Sequence, residues 1–270
     1  MSDAIPALFV DALKLAHGSW RPVLRAGLAT VAEANPAYLP ELAADTFLPV
    51  EGKLFAAFSQ PLESVRYVLV GEGPYPRAES ATGYCFMDGA VDALWSDKGL
   101  SRQVNRATSL RNFMKMLLVA DGHLKKGHTS GAAMEPIAAK ANAPDSPWIQ
   151  TRAALQDKLL AQGFLLLNAA LVFRPHVPPL KEARAWQPLL QAVLAALAGQ
   201  AHGRQAGLPV LVLWGKAAEL LSALPANALF PRVVSEHPYN LSFIDHPGMQ
   251  ELFGAMHLLQ RAGTDSLHMK

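Results

Sequence analysis

The chain has 270 residues, of which 51% are hydrophobic and 17% are charged; this excludes an intrinsically disordered chain and indicates a core that needs no disulfide or metal. A formal net charge of +2 excludes a heavily basic coat for nucleic acid, although it leaves a local basic face open. The single cysteine, Cys85, excludes an intramolecular disulfide, a cysteine-only zinc site and a four-cysteine iron–sulfur cluster.

Four short apolar runs predict buried β-strands. In chain order they are residues 65–70 (VRYVLV), 164–167 (FLLL), 210–214 (VLVLW) and 233–234 (VV). They are shorter than a typical helix. They also lack the alternation with polar residues that a half-exposed strand shows, as expected for strands buried on both faces.

Helical spacing of apolar residues occurs between and around these runs. It predicts helices over residues 110–118, 186–197 and 249–259, with Gly199 ending the second. Residues 121–147 mix Gly, Pro, Ser and Lys and predict one long irregular connection. Strands separated by helices favour an α/β fold, with a central, mainly parallel four-stranded sheet in a three-layer α/β/α arrangement.

The start of the sequence and its apolar stretches predict a cytoplasmic protein, and a monomer is expected. Asp3 stands where a signal peptide would carry positive charge, and no apolar stretch is long enough to span a membrane. We expect a single domain over residues 1–270 with a flexible tail at 264–270. The histidines lack metal-ligand spacing, and no phosphate-binding or dinucleotide-binding glycine motif is present, so no metal and no cofactor are predicted.

Polar side chains follow all four predicted strands. Glu72 follows the first, Asn168 the second, Lys216 the third and His237 the fourth. Each has an ordinary interpretation, as a turn former, a solvated loop residue or a histidine bonded to a backbone carbonyl. Ligands of parallel sheets bind beyond the carboxyl ends of the strands, so the joint placement favours a functional site.

Five motifs, in order and at matching separations, resemble the uracil-DNA glycosylases, specifically the group whose first motif reads GQDPYH. They are residues 71–76 (GEGPYP), 83–86 (GYCF), 165–168 (LLLN), 212–215 (VLWG) and 237–242 (HPYNLS, where the group has HPSPLS). Weaker similarity, including residues 109–112, extends the likeness to roughly residues 19 to 262. The resemblance implies the uracil-DNA glycosylase fold and a base flipped out of DNA into a pocket.

The resemblance also implies roles for individual residues. Phe86 stacks on the flipped base, Asn168 bonds to the edge of uracil, and Tyr75 stands where the methyl group of thymine would lie, with Gly73 beside the base. His237 donates to the oxyanion that develops on the leaving base, an effect typically worth about 10²–10³ in rate.

The first motif departs from the family at the position of its catalytic carboxylate. The family's water-positioning Asp is replaced by Gly73, and the neighbouring Gln by Glu72. Loss of an acid–base partner typically costs about 10²–10⁴-fold in rate. Either Glu72 reaches the vacated place and supplies the anion, or the chain no longer performs the reaction. Relatives with a GEAPG motif carry Glu at this position, but they bind an iron–sulfur cluster that Cys85 alone cannot hold.

The DNA contacts implied by the resemblance lie on short loops. Leu241 is expected to enter the minor groove and Ser242 to contact a phosphate, while Tyr239 offers a stacking surface for a neighbouring base. Ser109 and Lys216 are further expected phosphate contacts. The loop at residues 102–108 and Arg111 carry arginines that are either phosphate contacts or ordinary surface residues.

Three functions follow as hypotheses. The first is excision of uracil, or a related damaged base, from single- or double-stranded DNA by hydrolysis of the N-glycosidic bond. The second is a catalytically lapsed homologue that binds nucleic acid or a protein partner. The third is a glycosidase for free nucleosides, which would make Leu241 dispensable.

Overall fold

A computed structural model describes residues 5–201, 207–222 and 224–261. The chain divides into two compact units, one formed by Met1–Gly89 with Gly163–Val233 and the other by Ala90–Gln162 with Val234–Lys270. The expectation of one domain over residues 1–270 stays a prediction. The expected tail at residues 264–270 lies outside the described residues.

The secondary structure alternates between helices and short strands. The α-helices are α1 (Ala7–Ala12), α2 (Arg21–Ala34), α3 (Tyr38–Ala43), α4 (Arg102–Arg106), α5 (Thr108–Ala120), α6 (Gly131–Ala141), α7 (Arg152–Ala161), α8 (Pro179–Ala201), α9 (Ala217–Ser222) and α10 (Pro247–Gly254). The strands are β1 (Tyr67–Gly71), β2 (Trp95–Ser96), β3 (Gly99–Leu100), β4 (Phe164–Asn168), β5 (Val210–Trp214) and β6 (Arg232–Ser235). Short 3₁₀ helices cover Leu13–Leu15, Lys53–Phe58, Leu62–Ser64, Pro225–Leu229 and Leu241–Asp245.

The central sheet has four strands in the order β4-β1-β5-β6. β1 pairs in parallel with both β4 and β5, and Tyr67 lies opposite Phe164 on one side and Val210 on the other. All of β4 is buried, as its uninterrupted apolar run predicts. The mixed α/β fold with a mainly parallel four-stranded sheet is therefore confirmed.

Helices α2 and α8 pack closely in the first unit. The apolar face of α2, including Leu24 and Leu28, is fully buried. A Cβ at Gly27 would lie 3.0 Å from Cγ of Leu189, so the glycine allows the helices this approach. The predicted stop at Gly199 is wrong, because α8 continues to Ala201; a single glycine costs a helix only about 1 kcal/mol.

The second unit contains a helix where the sequence predicts an irregular connection. Within residues 121–147, α6 buries an apolar face formed by Met134, Ile137, Ala138 and Ala141. These positions follow helical spacing, but the surrounding Gly, Ala and Pro136 weaken the pattern. The prediction of an irregular connection is thus wrong for this stretch.

Two further boundaries differ from the sequence prediction. The helix expected over residues 249–259 begins at Pro247, where proline suits the first turn, and it ends at Gly254. Residues 102–106 form the short helix α4 rather than a loop, and the hydroxyl of Ser101 caps it by accepting the N–H of Val104. No helix among the described residues is long and apolar enough to cross a membrane.

Candidate active site

Gly71, the last residue of β1, makes room for two of the predicted base-binding residues. A Cβ at Gly71 would lie 2.8 Å from Oδ1 of Asn168 and 3.6 Å from Cε2 of Phe86. The parallel pairing continues beyond the strands, since the N–H of Ala169 donates to the carbonyl of Gly71 at 2.8 Å. The first unit therefore brings the Asn168 amide and the Phe86 ring to the same short stretch of backbone.

The segment that carries Phe86 is held against the sheet by backbone contacts and by Cys85. Gly83 has a φ of 84°, and a Cβ there would lie 2.2 Å from the carbonyl oxygen of Lys53, so only glycine fits. The N–H of Cys85 donates to the carbonyl of Leu166 at 3.1 Å, and its thiol donates to that of Leu69 at 3.2 Å. Burial raises the pKa of this thiol, so it stays protonated.

Phe86 itself has an unusual backbone conformation. Its φ of 59° lies in the left-handed region, which few residues other than glycine adopt. Its ring contacts the indole of Trp214 edge-on, with 4.7 Å between the ring centroids. Strain of this kind persists where the surrounding structure enforces it, as at ligand sites. Sequence reasoning predicted the ring but not this conformation.

Tyr75, Glu72 and Gly73 have different surroundings. Burial and the neighbouring Asp88 raise the pKa of the Tyr75 hydroxyl, which therefore remains protonated. Glu72 is exposed, and its side chain makes no hydrogen bond or ion pair to any described residue, while its carbonyl accepts the N–H of Ala170 at 3.0 Å. A Cβ at Gly73 would lie 3.5 Å from that of Ala170, which is ordinary contact, so this position has room for a Cβ.

In the second unit, a hydrogen bond in the turn after β6 sets the tautomer of the neutral His237 ring. The N–H of Tyr239 donates to Nδ1 of His237 at 3.1 Å, and the N–H of Asn240 donates to the His237 carbonyl at 2.9 Å. A ring nitrogen that accepts a hydrogen bond carries no proton, so the neutral ring carries its proton on Nε2. The imidazole is therefore oriented to act as an Nε2–H donor.

The same turn presents two apolar side chains to solvent. Tyr239 and Leu241 are each 68% exposed. Ser242 bonds to the Glu236 carboxylate; burial alone would raise the pKa of Glu236, but this hydrogen bond and His246 bring it below its usual value. We call residues 236–242 the histidine turn. It brings together His237, Tyr239, Leu241 and Ser242 as the sequence predicts.

The two remaining predicted phosphate contacts lie near helix starts. Ser109 is the second residue of α5 and is partly buried. Lys216 is exposed after β5, and its carbonyl accepts the N–H groups of Glu219 and Leu220 at 3.0 and 3.1 Å. Among the described residues, no group of three or more potential ligands is able to hold a metal ion.

Sequence reasoning missed Asn112. This residue of α5 is fully buried, and its amide donates to the carbonyl of Pro238 in the histidine turn at 2.7 Å. The available signal was an amide among the apolar residues of α5. Its partner lies 126 positions away and is not readable from the sequence.

Comparison with known proteins relates the chain as a whole to uracil-DNA glycosylases. No family model matches the chain. The uracil-DNA glycosylase of Corynebacterium glutamicum is 30% identical over 237 residues, covering 86% of this chain and 83% of that protein. Uracil-DNA glycosylase 1 of Streptomyces avermitilis is 27% identical over 232 residues, covering 85% and 83% respectively.

Solved structures show the same relationship. The wild-type UNG of Nitratifractor salsuginis superposes with a TM-score of 0.82 at 38% identity, covering 93% of this chain and 96% of that one. The mimivirus uracil-DNA glycosylase shares the fold alone, with 15% identity and a TM-score of 0.51. Identity of this extent over nearly the whole length means that the chain belongs to the uracil-DNA glycosylase family.

Proposed function

We propose that this protein excises uracil from DNA by hydrolysing the bond between N1 of the base and C1′ of the sugar. The observation that carries the proposal is the shared approach of the Asn168 amide and the Phe86 ring to Gly71. Within the family, the motif order favours the group with GQDPYH, from which this chain differs in its first motif, GEGPYP.

Base selection follows from the chemistry of these side chains. The Asn168 amide offers one acceptor and two donor hydrogens, which suits the N3–H and O4 edge of uracil and disfavours the amino group of cytosine. The Phe86 ring supplies a stacking surface for a flipped base. Tyr75 lies beside Cys85, the neighbour of Phe86, and excludes the methyl group of thymine.

Departure of the base is assisted by His237. As the C1′–N1 bond breaks, its electron pair moves onto the base and negative charge develops on O2. The Nε2–H of His237 donates to that oxygen, because the Tyr239 N–H occupies Nδ1. The neutral imidazole stabilises the uracil anion without giving up its proton.

The sugar is attacked by water, which requires an acceptor for the water's proton. In the first hypothesis this acceptor is the exposed carboxylate of Glu72, which no described residue engages. The oxygen of the water bonds to C1′, and its proton passes to the carboxylate. In the second hypothesis Glu72 takes no part, and the replacement of the family's Asp by Gly73 has left the protein with binding alone.

DNA contacts are assigned to exposed and partly exposed side chains. Leu241 fills the space of the flipped base, and Tyr239 stacks on a neighbouring base. Ser242, Ser109 and Lys216 contact phosphates. Leu241 needs no base-paired strand opposite the flipped base, so this arrangement accepts both single- and double-stranded DNA.

The test is an excision assay with single- and double-stranded oligonucleotides that contain one uracil, with the thymine counterparts as blanks. Wild-type protein is expected to produce abasic sites, and His237→Ala to lose about 10²–10³ in single-turnover rate. Tight binding to the uracil strand without abasic sites would instead establish the lapsed homologue. Release of uracil from free deoxyuridine but not from DNA, at a rate that Leu241→Ala leaves unchanged, would instead establish the nucleoside glycosidase.

Two substitutions separate the hypotheses for Glu72. If it accepts the proton, Glu72→Gln lowers the rate by about 10²–10⁴ with unchanged DNA affinity, since Gln keeps the size but not the charge. An unchanged rate in this variant rules out that role. Gly73→Asp restores the family's residue where a Cβ has room, and we expect it to raise the rate.

A further inference from the structure

The Asn112 side chain binds three successive carbonyl groups of the histidine turn. Its Nδ2 lies 2.7 Å from the carbonyl oxygen of Pro238, 3.3 Å from that of Tyr239 and 3.4 Å from that of Asn240. Asn112 has no solvent exposure. The amide shares its two hydrogens among these acceptors, with the shortest contact to Pro238, and burial strengthens the contacts because water does not compete for them.

The orientation of this amide is fixed from the other side. Nε of Arg111 donates to Oδ1 of Asn112 at 3.2 Å, which turns the Nδ2 hydrogens toward the turn. The guanidinium also reaches the carbonyl of Asn105 at 3.4 Å. Arg111 and Asn112, adjacent in α5, thus act together: the guanidinium orients the amide, and the amide holds the turn.

One of the carbonyl groups that Asn112 binds belongs to the peptide group that donates a hydrogen bond to the His237 ring. The N–H that donates to Nδ1 of His237 is that of Tyr239, which is part of the peptide group whose carbonyl belongs to Pro238. Fixing this carbonyl therefore fixes the direction of the N–H. The exposed side chains of Tyr239 and Leu241 contribute little packing to the turn, so polar contacts, together with the buried Pro238, hold its shape.

We infer that Asn112 is a positioning residue for base release, which selects the Nε2–H form of His237 by holding the peptide between Pro238 and Tyr239. The inference rests on the proposed function for its effect on catalysis. Asn112 itself touches neither base nor sugar. Its amide is neutral and donates, whereas Asp at this position would place a carboxylate against three carbonyl oxygens.

The experiment compares Asn112→Ala and Asn112→Asp with wild-type protein. Asn142→Ala is the matched control, since the Asn142 amide donates to one carbonyl, that of Ser96 at 3.0 Å, and is exposed. The tautomer of His237 is read from the ¹⁵N shifts of its ring in the free protein. Excision is measured as a single-turnover rate at saturating single-stranded uracil DNA.

We expect both Asn112 variants to show a mixture of the two ring tautomers and to release uracil about 10²-fold more slowly, the size of loss that a displacement of about 1 Å can cause. Asn142→Ala should keep the wild-type tautomer and rate. If Asn112→Ala fails to fold, Asn112→Asp, which keeps the volume of the side chain, provides the measurement.

The ring spectrum separates failure of this inference from failure of the proposed function. A wild-type ring spectrum in a folded Asn112 variant overturns the inference, whatever its rate. A rate loss fully explained by the unfolded fraction also overturns it, because the role would then be structural only. A wild-type protein without uracil excision overturns the proposed function, while the tautomer comparison still decides the role of Asn112.

Discussion

Gly71 shows how the absence of a side chain makes space for functional groups. A Cβ there would lie 2.8 Å from both Asn168 Oδ1 and Cys85 Cβ, closer than such atoms approach in proteins. Its backbone conformation is extended within β1, so conformational freedom is not the reason for glycine. The requirement is the space itself.

We therefore expect Gly71→Ala to displace Asn168 or the Cys85–Phe86 segment and to slow uracil release more than it weakens the fold. Overpacking of this kind typically costs about 1–3 kcal/mol in unfolding free energy. Urea denaturation and single-turnover excision measure the two effects.

Gly73→Ala is the comparison for the free energy of unfolding, because its Cβ would lie at an ordinary 3.5 Å from that of Ala170. Equal stability of the Gly71→Ala and Gly73→Ala variants would contradict the steric argument.

Asp121 in the second unit is a residue whose charge opposes folding at neutral pH. Its Oδ1 lies 3.2 Å from Nδ1 of His257, and its buried Oδ2 has no hydrogen-bond partner among the described residues. Burial raises the pKa of Asp121 to about 6, although His257 counteracts this. As the pH rises, the unfolded chain, in which Asp has a pKa of about 3.9, loses this proton at a lower pH than the folded state does.

A group with a raised folded pKa contributes stability below its unfolded pKa and loses it as the pH rises through the folded value. Asp121→Asn cannot ionise and avoids this loss. We expect the unfolding free energy of the variant to rise relative to wild type between pH 4 and pH 7. Urea denaturation at four pH values tests this, and a difference independent of pH would contradict it.

At the level of elements, α6 is a packed helix rather than a linker. A Cβ at Gly99 of β3 would lie 3.2 Å from that of Met134, which shows how closely the helix approaches this strand. Ile137 and Ala138 lie on the same buried face. Burial of this face, rather than helix propensity, holds a segment that contains Pro136.

Ile137→Ala is expected to lower the unfolding free energy by about 2–4 kcal/mol, because it removes buried methyl groups and leaves a cavity. Glu135→Ala, on the exposed side of the same helix, should change it by less than about 0.5 kcal/mol. Denaturation curves compare the two. Similar small effects of both substitutions would mean that the helix is not part of the core.

The sequence predicts the central strands well because each is a continuous apolar run buried on both faces. β1, β4 and β5 lie within about two residues of their predicted bounds. The two-residue strands β2 and β3 offer no periodicity to detect. Helix α6 escapes prediction because Gly, Ala and Pro dilute its apolar spacing.

The candidate site likewise has features that the sequence predicts and features that it does not. The ends of predicted strands indicate Asn168 and His237 as candidate site residues, whereas Phe86 is predicted from the family resemblance alone. The ring contact of Phe86 and the hydrogen bond of Asn112 join residues far apart in the sequence, Trp214 and Pro238 respectively. Such tertiary relations have no signature within a window of sequence.

For the whole molecule, a net charge of +2 limits how DNA is bound. Affinity that comes from a few loop contacts releases few counterions, so the salt dependence of binding should be shallow. The slope of log affinity against log salt is about −0.7 for each phosphate neutralised on a single strand. Lys216, exposed after β5, is the assigned cationic contact.

We expect Lys216→Ala to reduce the magnitude of this slope by about 0.7 on single-stranded uracil DNA. Fluorescence anisotropy across a salt series measures it. Lys14→Ala serves as the control, since Lys14 pairs with Asp11 at 2.8 Å and is assigned no DNA contact. An identical slope for Lys216→Ala and wild type would remove Lys216 from the DNA interface.

The burial of Cys85 has a practical consequence for labelling. The chain contains one cysteine, and its thiol is buried, protonated and bonded to the carbonyl of Leu69. Alkylating reagents attack thiolates at the surface. A cysteine introduced at the exposed Tyr239 would then be the one thiol that maleimide dyes modify in the folded protein, and a fluorophore there would test whether the histidine turn meets DNA.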